Sequence, residues 1–336
     1  MSVRWLLDNA APVIRYRVLI ELLNVKESEL TQNTFSEILT LPQTQKRLIL
    51  FKNLNYSKTH GSDMGYLENV LPMLNDFGLY YGMDIFNHKS QTIDDVAKIV
   101  LAEEYDKLIA YPFLLRARFP IEGLLEHAIK RINTIYDFTR HMDFDIYDDI
   151  ANYKGVPKSF QDRPIIKPDI ASGGGKIRLP LIYDIVMMAA IYNFVSVETQ
   201  VKIDNVVEYI MSPDYDVVKP MYGILYSKTQ KYYAMGWDCK KPFNHNQGYS
   251  YPNLHRLLLY SNFPNIIKSA WFSNSIDYLT QYKTQNGTYD FPKEYLPESN
   301  GNWVLGARMS LAENRRKKQW SEIESTFYML KLLSAL

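Results

Sequence analysis

The stretch Leu179-Pro180-Leu181-Ile182-Tyr183-Asp184-Ile185-Val186-Met187-Met188-Ala189-Ala190-Ile191-Tyr192-Asn193-Phe194-Val195 decides the reading of the chain. Only Pro180, Asp184 and Asn193 interrupt its apolar character. A helix that spans a bilayer needs about 20 mostly apolar residues. This run is shorter and carries Asp184, and no second candidate span accompanies it. Apolar residues on every side of a helix mean neighbours on every side, so the stretch reads as a helix wrapped by other helices. Pro180 suits its first turn, where a missing N–H costs nothing.

Outward from this segment the period changes. Ile121, Leu124, Leu125, Ala128, Ile129, Ile132 and Tyr136 place apolar side chains on one helical face, opposite Glu122, Glu126, Lys130 and Arg131. Similar one-sided segments lie at about 30–52, 91–106, 199–212 and 265–283. Between them stand shorter and more apolar segments: Pro12–Leu23, Gly65–Phe77, Leu108–Arg118, Pro180–Phe194, Tyr251–Phe263 and Glu322–Leu336. Period-two runs occur only as fragments such as Lys231–Met235. The expectation is an all-α fold of one domain over residues 1–336, with six enclosed helices alternating with about six outer ones. Two irregular stretches interrupt it. Asp143 to Leu179 holds Pro157, Pro164, Pro168 and Gly173-Gly174-Gly175, and Ser212 to Pro252 is rich in Pro, Gly and aromatics. Long loops in a compact domain are uncommon and often functional.

Composition narrows the function. The chain has 336 residues with 38 Lys+Arg against 37 Asp+Glu, a formal charge of +1, which is not the basic excess of a nucleic-acid binder. With 46% hydrophobic residues it can bury a large core. The single Cys239 forms no internal disulfide and the start at Met1 has no apolar signal core, so a cytoplasmic protein is expected, a monomer or weak oligomer without a membrane span. The glycosylation-like triplets at Asn55 and Asn286 are then chance matches.

The residues near the C-terminus sharpen the architecture. Ser321-Glu322-Ile323-Glu324-Ser325-Thr326 leading into Phe327, Leu330, Leu332 and Leu333 resembles the inner helix of the repeat in terpenoid cyclases and protein prenyltransferases. Gln281 to Gly287, then Tyr289, is similar to the Gln-rich turn of those cyclases, and Tyr111-Pro112-Phe113-Leu114-Leu115-Arg116-Ala117 to the opening of another inner helix. The resemblance covers about a third of the chain and implies an α/α toroid of about six helical hairpins. It does not extend to the family's chemistry. Asp145-Ile146-Tyr147-Asp148-Asp149 has the wrong spacing for a protonated carboxylate run. Asp94-Asp95 lacks a carboxylate three residues on for magnesium and, with Thr92, reads as an N-cap pair. Asp238 and Cys239, with His245 or His255, suit zinc chemically, but the family separates its Asp and Cys by one residue and these are adjacent. No metal or other cofactor is expected, and Cys239 reads as a small packed residue.

Polar residues on the apolar helices are the remaining candidates, since an ionised group there must be paired, reach a cavity or shift its pKa. Asp184, Asp238 and Glu322 are the catalytic candidates. Arg17, Arg116, Tyr183, Trp237 and His255 are the binding candidates, with Glu68, Trp303, Tyr232, Tyr233, Tyr249 and Tyr251 as further ones. Glu324 is explained as the partner of Ser321 in a capping box, and Arg315 to Lys318 as a solvated turn. The expected ligand is a small molecule with an apolar or sugar-like body and an acidic head, in a central cavity. Whether the protein is an enzyme on an isoprenoid-like or carbohydrate substrate, or a non-catalytic binder of a ligand or protein, stays open.

Overall fold

The structure is a computed structural model that describes residues 2–54, 59–83, 104–229, 231–243 and 253–336. It is mostly helical, with thirteen α-helices among the described residues. The chain divides into two compact units, one of Met1–Ile121 with Pro242–Leu336, the other Glu122–Lys241.

In the first unit, α1 (Ser2–Asn9) is followed by α2 (Pro12–Arg17), which begins on a proline and runs into a π-turn at Val18–Leu22. The one-sided pattern at 30–52 predicts a single helix; the chain forms two, α3 (Glu29–Thr40) and α4 (Pro42–Lys52). The break is at Leu41, whose ψ of 134° is the extended conformation that a following proline imposes. Ser28 caps α3 by accepting the Thr31 N–H at 3.1 Å. Helix α5 (Leu67–Asp76) packs against α4 and against α6 (Glu104–Arg116). Its residues from Leu67 to Asn75 are all buried, whereas α3 buries only Thr31, Thr34 and Ile38. The unit is completed by α10 (Leu254–Tyr260), α11 (Pro264–Ile267), α12 (Ala270–Thr280) and α13 (Trp320–Leu333); α13 packs on α1, α12 and the π-turn.

The second unit holds α7 (Leu124–Thr139), α8 (Ile182–Ile191) and α9 (Val197–Met211), with α7 against both others. The decisive apolar stretch is therefore a buried helix. Pro180 lies one residue before its N-cap, Leu181, rather than in its first turn. The two irregular stretches correct the all-α expectation, because they form a four-stranded sheet: β1 (Tyr147–Asp148), β2 (Ile165–Ile166), β3 (Gly223–Tyr226) and β4 (Tyr232–Met235), in that order. β1 pairs antiparallel with β2, β2 parallel with β3 through Ile165 and Ile224, and β3 antiparallel with β4. Two-residue strands are too short to show a period. A Cβ at Gly223 would stand 2.3 Å from the Pro164 carbonyl oxygen, so only glycine allows β3 this close.

No helix among the described residues is long and apolar enough to cross a membrane. The segment 91–106 apart from its last residues, Thr92, Asp94, Asp95, His245, Tyr249, Tyr251 and the Asn55 triplet lie outside the described residues.

Candidate functional site

The first unit gathers a cluster of charges around the C-terminal end of α5. Asp76, its last residue, is an acidic group at the negative end of the helix dipole, so it needs cations nearby. Two arginines supply them. Arg116, at the end of α6, donates to the Asp76 carboxylate at 2.7 Å and to the Pro72 carbonyl at 3.2 Å. Arg17, at the end of α2, donates to the Asp76 carbonyl at 3.1 Å and forks onto Glu21 through Nε at 2.6 Å and Nη2 at 3.1 Å. Lys331 of α13 reaches the same Glu21 at 2.6 Å. The tight turn after α5 needs Gly78, with φ of 80° and a Cβ position only 2.8 Å from the Tyr16 ring.

Aromatic rings close around these charges. The Trp303 indole N–H donates to Asp76 Oδ2 at 2.6 Å while its backbone N–H is held by Asn69 at 2.8 Å, two contacts seven residues apart on one face of α5. The Arg116 guanidinium lies 4.5 Å over the Trp303 ring, and Arg17 lies 4.8 Å over Phe327. Phe113 and His255 both meet Trp303 edge-on, His255 at 4.2 Å between ring centres. His255 Nε2 is buried and has no hydrogen-bond partner. The residue also lines a recess of about 250 Å³ with Asn253, Glu294, Tyr295, Gly306 and Met309.

The electrostatics follow from burial and pairing. Burial works against charge on Asp76, but Arg116 and then Arg17 outweigh it and hold the carboxyl below its ordinary range. Burial likewise opposes the Glu21 carboxylate, and Arg17 with Lys331 brings its pKa down to about 2. Burial opposes the Arg17 cation too, and Glu21 keeps it charged. Lys331 is lowered, first by burial and then by the like charge of Arg17. Burial pushes His255 down to about 3, so its ring is neutral at pH 7, and it raises Tyr80. These groups are strongly desolvated, yet the side chains of Asp76, Arg116, Glu21 and Lys331 keep 18%, 22%, 23% and 35% of their exposure. The cluster is thus desolvated but not sealed from solvent, and of its members only His255 lines the recess.

Of the expected residues, Arg17, Arg116 and His255 come together here, and Trp303 joins them. Glu21, Asp76, Lys331 and Tyr80 belong to the cluster and were not anticipated. The i, i+4 spacing of Glu21 from Arg17 and an acid in the last turn of an apolar helix were the signals available. Glu322, on α13 of the same unit, accepts the Thr288 hydroxyl. Glu68 is fully buried and binds the Gly61 N–H, His60 and Asn302, so it ties loops to α5.

The other expected residues lie in the second unit. Asp184 takes Arg131 through Nε at 2.9 Å and Nη2 at 2.7 Å, and accepts the Leu181 N–H at 2.7 Å. Tyr183 meets Trp237 edge-on at 5.5 Å, and the Trp237 carbonyl accepts the Ile182 N–H. Asp238 accepts the N–H groups of Met221 and Lys240. Cys239 is buried with its thiol 3.5 Å from the Pro180 carbonyl. Among the described residues no three metal-binding side chains cluster.

Two expectations for the last helix are corrected. Ser321 does not cap α13, because the helix starts at Trp320. Glu324 instead sits fully buried, accepting the Leu311 N–H at 3.0 Å and pairing with Arg315 at 2.6 Å. Arg315 is accordingly no solvated residue: it also donates to the Leu296 carbonyl and covers the Trp320 ring at 4.4 Å.

No protein-family model, curated protein or solved structure matches the chain.

Proposed function

We propose that the chain is an α/α-toroid protein of the cytoplasm that binds a small molecule with an acidic head and an apolar body, and that the cluster around Asp76 is the floor of its cavity. The alternation of enclosed helices such as α5, α8 and α13 with one-sided α3, α4 and α9 supports the toroid. The observation that carries the ligand reading is the charge count. Among the described residues, Arg17, Arg116 and Lys331 face Glu21 and Asp76 within the cluster, which leaves one positive charge for a monoanion to balance.

Binding is favoured over catalysis by the protonation states. Glu21 and Asp76 are both held ionised, so the pair lacks the protonated acid that glycoside hydrolysis requires. His255, pushed to about 3, is a weak base at neutral pH. An isoprenoid carbocation is also a poor fit, because the Trp303 and Phe327 faces already carry guanidinium groups.

The test is fluorescence titration of the full chain with a dansyl-labelled C12 fatty acid, beside farnesyl diphosphate and glucuronate. Saturable fatty-acid binding that weakens at least tenfold in Arg116→Met supports the reading. No saturable fatty-acid binding, or unchanged affinity in a folded Arg116→Met, overturns it.

A further inference from the structure

The recess beside His255 is framed by parts of the first unit that hold one another in place. Asn253 caps α10 by accepting the Arg256 N–H at 3.0 Å, and its amide donates to the Leu305 carbonyl at 3.0 Å. Gly306, with φ of 81°, lies directly on this cap: a Cβ there would stand 2.8 Å from Asn253 Oδ1 and 3.1 Å from His255 Cβ. Both the backbone angle and the close approach therefore call for glycine. The Tyr295 hydroxyl, on another part of the lining, meets those of Tyr278 at 3.2 Å and Tyr282 at 3.5 Å. The side chains of Asn253 and Tyr295 are thus engaged in the frame itself.

Two polar groups of the lining are not engaged. His255 is 6% exposed and its Nε2 is buried without a partner, which costs free energy that a bound donor would recover. Glu294 is exposed, and its carboxylate has no ion-pair or hydrogen-bond partner among the described residues. Burial keeps the His255 ring neutral at pH 7 and raises Tyr295, so Glu294 carries the one charge in the lining. The rest of the recess, about 250 Å³ in volume, is walled by uncharged residues such as Met309. A molecule suited to this lining brings one positive charge, N–H donors and a small apolar body. An ion pair in open water is worth little, whereas one set against an apolar wall is screened less.

We propose that this recess binds a small organic ammonium ion, with Glu294 as its counter-charge and His255 Nε2 as a hydrogen-bond acceptor. A neutral imidazole that carries its proton on Nδ1 leaves Nε2 free to accept. The assignment does not rest on the ligand reading of the Asp76 cluster, whose charge excess calls for an anion.

Calorimetric titration of the full chain with benzylammonium and with benzyl alcohol, its uncharged counterpart, at one ionic strength tests this. Saturable binding of benzylammonium is expected, about tenfold or more tighter than the alcohol, the factor that one hydrogen bond to a charged group supplies. Glu294→Gln, a substitution at an exposed side chain, should lower benzylammonium to the affinity of the alcohol. His255→Phe, which keeps an aromatic edge against Trp303 but cannot accept, should weaken benzylammonium about threefold or more; should it fail to fold, Glu294→Gln decides. No saturable benzylammonium binding by the wild type, equal affinity for the alcohol, or undiminished binding in either folded variant overturns the proposal.

Discussion

Asp76 receives Arg116 on one carboxylate oxygen at 2.7 Å and the Trp303 indole N–H on the other at 2.6 Å. One side chain at the end of α5 thereby joins α6 to the turn at Trp303–Leu305, and the same turn packs on α10, which carries His255. Charge-assisted hydrogen bonds of this kind are stronger than neutral ones, and leaving one acceptor unsatisfied in a desolvated setting costs more than the bond contributes when made.

Trp303→Phe tests that link. Phenylalanine retains the edge contact with Phe113 and most of the apolar area but cannot donate to Asp76. The expected loss is about 1.5–3 kcal/mol, the range for a hydrogen bond to a charged group. Urea unfolding should show it as a lower midpoint with an unchanged slope. A loss below about 0.5 kcal/mol would mean that water replaces the indole.

Glu324 makes stability depend on pH. Burial raises its pKa from 4.5 to about 7, against the opposing effect of Arg315. The folded state then binds more protons than the unfolded state between those values, so stability falls as pH rises through that window. The magnitude is on the order of 3 kcal/mol at about 1.4 kcal/mol per unit. Glu313, also raised by burial, adds a slope of the same sign. Glu21, held near 2, acts oppositely, its contribution being lost as pH falls below 4.5. Glu324→Gln should flatten the melting temperature between pH 5 and 7.5; a slope identical to wild type would rule Glu324 out as its source.

The helices were legible where one residue type repeats at helical spacing over a long stretch. The apolar run around Ile182–Ile191 is a buried helix for the reason its composition gives, whereas the one-sided pattern at 30–52 ran past the stop that Pro42 imposes at Leu41. The sheet was legible only at β4, where the period-two fragment Lys231–Met235 falls on Tyr232–Met235. β1 and β2 have two residues each, and β2 finds its partner Ile224 almost sixty residues away, so nothing local marks them. At the site, Arg17, Arg116 and His255 stood out as polar groups on apolar helices. Their common partner Asp76 did not, because an acid at a helix end resembles an ordinary terminus until the neighbouring helices are placed. Glu324 shows the opposite error: its spacing from Ser321 satisfied a local motif, while tertiary contacts with Leu311 and Arg315 claimed the side chain.

Asp184 and Arg131 give the last prediction. The pair is nearly inaccessible, with side-chain exposures of 2% and 6%, and its hydrogen bonds extend into the backbone. Arg131 also donates to the Ile177 and Leu179 carbonyls, while Asp184 takes the Leu181 N–H that opens α8. Asp184→Asn removes the charge that compensates Arg131 and should destabilise the protein by about 3–5 kcal/mol. Replacing both partners, as Arg131→Met with Asp184→Leu, removes the unpaired charge but leaves those backbone groups without partners. The double variant should therefore recover only part of the loss, remaining about 1–3 kcal/mol below wild type. Denaturant unfolding of the three proteins separates the contributions. A double variant as stable as wild type would show that the carbonyls find other donors. An Asp184→Asn protein within about 1 kcal/mol of wild type that loses ligand binding would move Asp184 from the framework of the second unit to a binding surface.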